Sequence, residues 1–220
     1  MSGIPKLAWA RGIGLALLLV ATTETGSGQG IIYGTPSQPI GYNPVNNVSF
    51  DIDVNGDGTV DYTVISQFGQ VLLQPHWDNR IITIPASPPD LGYLVAALPT
   101  GFSIGSSLDP VYAWYDRNTD AFGTAVIGVQ MDVGAISYFL GQTAFVGLDL
   151  VYGGEDHYGW MRIDNPLQIV AGQIVDWAYQ TRPNTPILAG AVPEPSAEAL
   201  IILAGGLILL GRKRDHWRKI

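Results

Sequence analysis

Between Gly30 and Gly190 the apolar positions come in short runs, each bounded by Gly, Pro, Asn or Asp. Several runs alternate strictly. Phe50, Ile52 and Val54 fall on one side of an extended chain and Asp51 and Asp53 on the other, because successive strand side chains point to opposite faces. The pattern predicts strands at Ile31–Tyr33, Val48–Val54, Thr59–Ser66, Gln70–Leu73, Arg80–Ile84, Gly92–Leu98, Val111–Trp114, Gly123–Met131, Ala144–Tyr152, Tyr158–Ile163 and Gln168–Tyr179. No internal stretch carries a capped 3.6-residue period. Many short strands with frequent turn signals predict an all-β fold, an antiparallel β-sandwich of jelly-roll type. Pro85, Pro88, Pro89 and Pro99 mark loops or sheet edges, since proline cannot donate to a ladder. Phe50, Ile52, Val60, Tyr62, Val126, Phe145, Leu148, Trp160 and Trp177 are expected to be largely buried.

The two ends break this pattern. Lys6 and Arg11 precede a nine-residue apolar run, Ile13 to Ala21, and then small residues up to Gly28. That is the layout of a secretory signal, with a signal helix too short to span a bilayer, and residues 1–28 are assigned to it. At the other end a linker, Ala191 to Ser196, leads to an apolar run from Ala199 to Gly211 and then to Arg212-Lys213-Arg214. Two prolines stop the preceding structure, Ser196 suits a helix N-cap, and the basic cluster favours the cytoplasmic side. Residues 191–220 thus form a linker, a transmembrane helix and a basic tail, and residues 29–190 the ectodomain.

Composition sharpens the division. Only 14% of the 220 residues are charged, and there is no cysteine, which excludes disulfides and thiolate metal sites. The stretch from Glu24 to Pro195 holds 17 acids and four bases, Arg80, Arg117, Arg162 and Arg182, and no lysine. Such a body repels polyanions and gathers cations, so nucleic acid is not an expected partner.

Val192-Pro193-Glu194-Pro195-Ser196, the apolar run and the basic cluster together resemble a PEP-CTERM sorting signal. The resemblance covers about the last 28 residues. It implies a bacterial host in which a membrane protease, an exosortase, recognises Pro193, Glu194 and Pro195. The precursor would be exported through the inner membrane, held by a transient C-terminal anchor, and then released or transferred to the cell surface or extracellular matrix. A second resemblance lies in Tyr158-Gly159-Trp160, Trp177-Ala178-Tyr179 and Ala189-Gly190, which look like the "YGW…WAY…AG" ending of a group of PEP-CTERM surface proteins. In that group the ending closes a β-sandwich body. Tyr158 with Trp160, and Trp177 with Tyr179, each share a strand face, as core filling or as a sugar-stacking platform.

The densest chemistry is Asp53-Val54-Asn55-Gly56-Asp57-Gly58-Thr59-Val60-Asp61. Hard oxygens at alternate positions suit calcium, and a glycine at the sixth position permits a sharp turn. The segment resembles the first nine positions of an EF-hand or dockerin loop. The resemblance implies side-chain ligands from Asp53, Asn55 and Asp57, a backbone carbonyl from Thr59, and Asp61 directly or through water. Val64 stands where the family has its bidentate acid, and the flanks read as strands, so the Ca2+ site would be weaker than in that family. Asn55-Gly56 is equally a two-residue hairpin signal with the acids on its wet face.

Catalytic patterns are thin. Gly101-Phe102-Ser103-Ile104-Gly105 matches G-x-S-x-G, but loop-like residues follow where a nucleophile elbow needs a helix. His76 and His157 lack a second histidine at metal-ligand spacing, and Glu155 is the lone glutamate well inside the body. The expected role is therefore not enzymatic. It is structural or adhesive surface display, with exopolysaccharide as an expected partner besides the exosortase and the membrane. A secreted carbohydrate-active enzyme and a calcium-dependent lectin-like module are the alternatives.

Overall fold

A computed structural model describes residues 30–41, 48–85, 92–131, 134–167 and 170–193. The signal segment, the 199–211 run and the basic tail lie outside the described residues. So do Glu194 and Pro195 of the sorting motif.

The described chain is all-β, and no helix occurs among the described residues. Its strands are β1 (Ile31–Gly34), β2 (Gln38–Gly41), β3 (Val48–Ile52), β4 (Tyr62–Gln67), β5 (Gln70–Pro75), β6 (Arg80–Pro85), β7 (Tyr93–Val95), β8 (Ser103–Ile104), β9 (Ala113–Tyr115), β10 (Ala125–Met131), β11 (Gly134–Ile136), β12 (Gln142–Tyr152), β13 (Glu155–Asn165), β14 (Ala171–Gln180) and β15 (Ile187–Leu188). Thirteen of them form one sheet, in the order β1-β14-β13-β12-β6-β7-β10-β5-β4-β3, with β2 extending along β14, β9 along β6 and β11 along β10. β8 and β15 make a separate two-stranded ribbon. Pairing is antiparallel except where β10 meets β7, at Val126 and Leu94.

The sheet curls back on itself. Ile52, Tyr62, Val64, Val71 and Leu73 of β3–β5 share one core with Val146, Leu148, Leu150, Met161, Ile163 and Ile174 of β12–β14. On its other face the β12–β14 layer is covered again. Phe145, Tyr158, Trp160 and Ala178 pack there with Ile104, Ile187 and Ala189 from the β8–β15 ribbon. Burial on both faces explains why Ala144–Leu150 reads as a nearly continuous apolar run rather than an alternation.

Local turn chemistry sets the hairpins. Tyr152 pairs with Glu155 across Gly153-Gly154, both at positive φ, the conformation that a two-residue turn needs and that glycine adopts without strain. Gln67 pairs with Gln70 across Phe68-Gly69, and Phe68, at φ 46°, points out of the turn 85% exposed.

Most predicted strands appear, with shifted ends. β13 starts three residues earlier than the pattern suggested, and β2, β8, β11 and β15 were not predicted. Ile52, Tyr62, Val126, Phe145, Leu148 and Trp160 are buried as expected. Phe50, Val60 and Trp177 are only half-buried. Phe50 and Trp177 pack at the margin of the main core, and Val60 belongs to a loop instead of a strand.

Candidate functional site

β3 and β4 form a hairpin whose last pair is Ile52–Tyr62. Residues 53–61 therefore project as one long loop, and Asn55-Gly56 is not the two-residue turn of that hairpin. Asp61 closes the base of the loop. Its N–H donates to Ile52 O at 2.9 Å, and its buried carboxylate accepts Val54 N–H at 2.8 Å and Asn79 Nδ2–H at 3.0 Å. Burial pushes the Asp61 carboxyl up from its usual range, against the pull of those donors.

The outer residues organise the loop's own backbone. Asp53 accepts Gly56 N–H at 2.7 Å and Gly58 N–H at 2.8 Å. Asn55 Oδ1 accepts Asp57 N–H at 2.9 Å, and Asp57 Oδ1 accepts Thr59 N–H at 2.7 Å. That last bond holds the Asp57 carboxyl below its ordinary range. Gly56 and Gly58 both sit at positive φ with open space around them. Among the described residues no three acidic or histidine side chains converge as a metal cage. Asp61 is turned inward, so the oxygens available to a cation here are those of Asp53, Asn55 and Asp57 with the Thr59 carbonyl. Two carboxylates, half-buried Asp53 and exposed Asp57, and two neutral oxygens are a donor set for a weakly held hard cation.

A second cluster lies on the opposite face of the β12–β13 layer, and sequence reasoning missed it. Arg80 of β6 reaches Asp149 of β12 and, at 2.9 Å, Asp156 of β13. Its guanidinium lies 5.8 Å from the Trp114 ring, and Trp114 stacks on Tyr158 at 5.9 Å. Tyr62 O–H donates to the Asp149 carbonyl at 3.0 Å from the main-core side. Asp149 has no exposed surface, and neither of its carboxylate oxygens receives a well-formed hydrogen bond. Burial pushes its carboxyl up to about 6, opposed by Arg80 and reinforced by Asp156. The sequence signal for this site is an acid inside the apolar run Ala144–Val151, in a body with four bases. Arg162 behaves in the same way, donating to buried Asp176, to which Tyr33 O–H also donates at 2.6 Å. Asp149 is wholly covered while Arg80 and Asp156 are partly exposed, and the group ties three strands, β6, β12 and β13, together.

The catalytic patterns are placed apart. Ser103 lies in β8, exposed and paired with Leu188, with a bend after it and no helix. His157 is buried, stacked on Tyr152 at 3.8 Å, with Nδ1 at 3.0 Å from Gln180 O. Glu155 is exposed beside the Gly153-Gly154 turn. His76 Nε2 and Asp51 both meet Thr63 Oγ1 at 2.7 Å. The hydroxyl donates to the carboxylate, so the imidazole donates to the hydroxyl and does not activate it.

Of the aromatic pairs, Tyr158 and Trp160 share the second core and Trp177 and Tyr179 the first, so they pack the two faces of the layer. Gly159 between the first pair is required by contact. A Cβ there would stand 2.7 Å from Ala178 O and 2.9 Å from Tyr179 Cβ. No family model, no curated protein and no solved structure matches this chain.

Proposed function

We propose that the chain is an exported cell-surface or extracellular-matrix protein with a structural or adhesive role, sorted by an exosortase through Pro193-Glu194-Pro195. The carrying observation is how the described body is tied at its two ends. Thr181 N–H reaches Gly30 O at the first described residue, and Trp160 Nε1–H donates to Ala191 O at 3.0 Å. Val192 is exposed one residue further on. Among the described residues the core clusters lie between Ile31 and Ala191, which supports the reading that cleavage in the tag leaves the body intact. The finer architecture we infer is a sandwich-like closure of the curled sheet, with helices confined to the signal and the anchor. Replacing Pro193, Glu194 and Pro195 by alanine in a host with an exosortase is expected to leave a membrane-retained precursor. C-terminal mass spectrometry checks it: surface protein still carrying Arg212 to Ile220 contradicts the sorting reading.

The 53–61 loop serves in this reading as a calcium-stabilised element. The carboxylates of half-buried Asp53 and exposed Asp57, the backbone bonds that pre-arrange them and the acidic surroundings support it. Calcium bound only to the folded loop raises the melting temperature by mass action, roughly 5–10 °C at 100 times Kd for a chain of this size. Asp57→Ala is expected to abolish that shift and keep the fold. Equal melting in millimolar calcium and in chelator refutes the calcium role.

A further inference from the structure

The outer face of β4, β5 and β10, turned away from the main core, carries a groove of about 410 Å3. That is within the range of small-molecule sites. Strand register builds it. Ile65 pairs with Leu72 and Leu72 with Val126, which makes an apolar floor across three strands. Gln67 pairs with Gln70 on one side of that floor, and Gln74 stands next along β5 on the other. All three glutamines line the groove half-buried, and their side-chain amides have no partner among the described residues. Phe122 forms a wall, 78% exposed.

The lining has almost no free charge. Asp120 is its one ionisable group, and its Oδ1 already accepts Tyr115 O–H at 2.8 Å, Phe122 N–H at 2.9 Å and Gly123 N–H at 3.0 Å. No cation is present to hold a phosphate, sulfate or carboxylate, and the body's 17 acids against four bases repel anionic ligands. Each glutamine offers two N–H donors and a carbonyl acceptor. Amides on both sides of an apolar strip, with an open aromatic ring at the edge, match a ligand that has hydroxyls around its rim and C–H groups on its faces.

We propose that this groove binds a neutral polysaccharide strand. Gln67, Gln70 and Gln74 would exchange hydrogen bonds with its hydroxyls, and Phe122 would pack on a sugar face. The inference rests on the surface-protein reading above and names the ligand class of that surface.

The test uses the full-length chain purified in detergent, titrated calorimetrically with cellohexaose, laminarihexaose, maltohexaose and mannohexaose. At least one is expected to bind, with affinity falling about tenfold or more in Gln70→Ala and in Phe122→Ala at unchanged melting temperature. Trp77→Ala, which alters an exposed ring outside the groove, is expected to bind as the parent does. Binding lost in Trp77→Ala but kept in Phe122→Ala overturns the proposal, as does binding confined to an alginate hexamer titrated alongside the four. Absence of binding to all four neutral sugars overturns it too. None of these results bears on the C-terminal mass of the surface protein, so failure here leaves the sorting reading standing and the reverse holds.

Discussion

Arg80→Leu is expected to lose about 3–5 kcal/mol of stability at pH 7.5, the usual cost of stranding one member of a buried ion pair, and to regain much of it at pH 5. The sign follows from Asp149. Its carboxyl stands at about 6 in the folded protein against an ordinary value of 3.8, because burial outweighs the Arg80 charge. The folded state therefore holds that proton more tightly than the unfolded chain does. The contribution of Asp149 is fully present below the unfolded value and is lost as pH rises through the folded one. That difference amounts to about 3 kcal/mol above pH 6 in the parent protein. Removing Arg80 deletes the largest attraction that lowers the carboxyl and leaves the smaller pull of the His157 backbone, so the window of loss moves upward towards neutrality. Leucine also removes the guanidinium from over the Trp114 ring, a contact that contributes about 0.5–1 kcal/mol at partly exposed sites and does not depend on the charge of Asp149. Urea denaturation at the two pH values reads the effect. A loss equal at pH 5 and pH 7.5 sinks the buried-charge account. Asp149→Asn placed on top of Arg80→Leu is expected to remove the pH dependence.

What the residue pattern reveals is local, and what it conceals is tertiary. Alternation placed β3, and apolar content placed β12, because each strand's burial is written in its own side chains. β2 escaped notice because Gln38-Pro39-Ile40-Gly41 has no strand signature. It pairs along the outer side of β14, an edge position where a missing proline N–H is tolerated. β8 and β15 are two residues each, below any period. Asn55-Gly56 misled for a physical reason: the buried Asp61 carboxylate takes Val54 N–H, so the chain leaves the ladder at Ile52. The acidic loop was visible as a motif, but the inward turn of Asp61 was not, since its partner Asn79 lies 18 residues away. Arg80 and Asp149 are further apart still. Only the oddity of an acid in an apolar run hinted at them. The glutamines of the groove, one at the end of β4 and two flanking the apolar run of β5, carry no pattern in the sequence, and only the sheet register brings them to opposite sides of one apolar strip.

Trp160→Ala is expected to cost about 3–5 kcal/mol, the range for deleting a buried aromatic ring. Its indole is almost wholly buried, meets Phe145 edge-on at 5.2 Å and lies 6.1 Å from Tyr33. The loss reaches beyond volume, because the Trp160 Nε1–H bond ties Ala191, near the end of the described chain, to the body. Ile187 and Ala189 share the same cluster. Emptying its centre should free the 187–193 segment while the first core, on the other face of β13, keeps its contacts. Trp160→Phe retains most of the ring and drops the donor, so it should fall between, with about 1 kcal/mol assignable to the hydrogen bond. Trp177→Ala is the control, since that ring is half-buried at the margin of the other core. Urea denaturation gives the stability order, and thermolysin cleavage ahead of Ile187 or Leu188 reports the released segment. If Trp160→Ala resists thermolysin there as well as the parent does, Trp160 is filler alone, and the C-terminal segment is held by the β8–β15 ribbon without it.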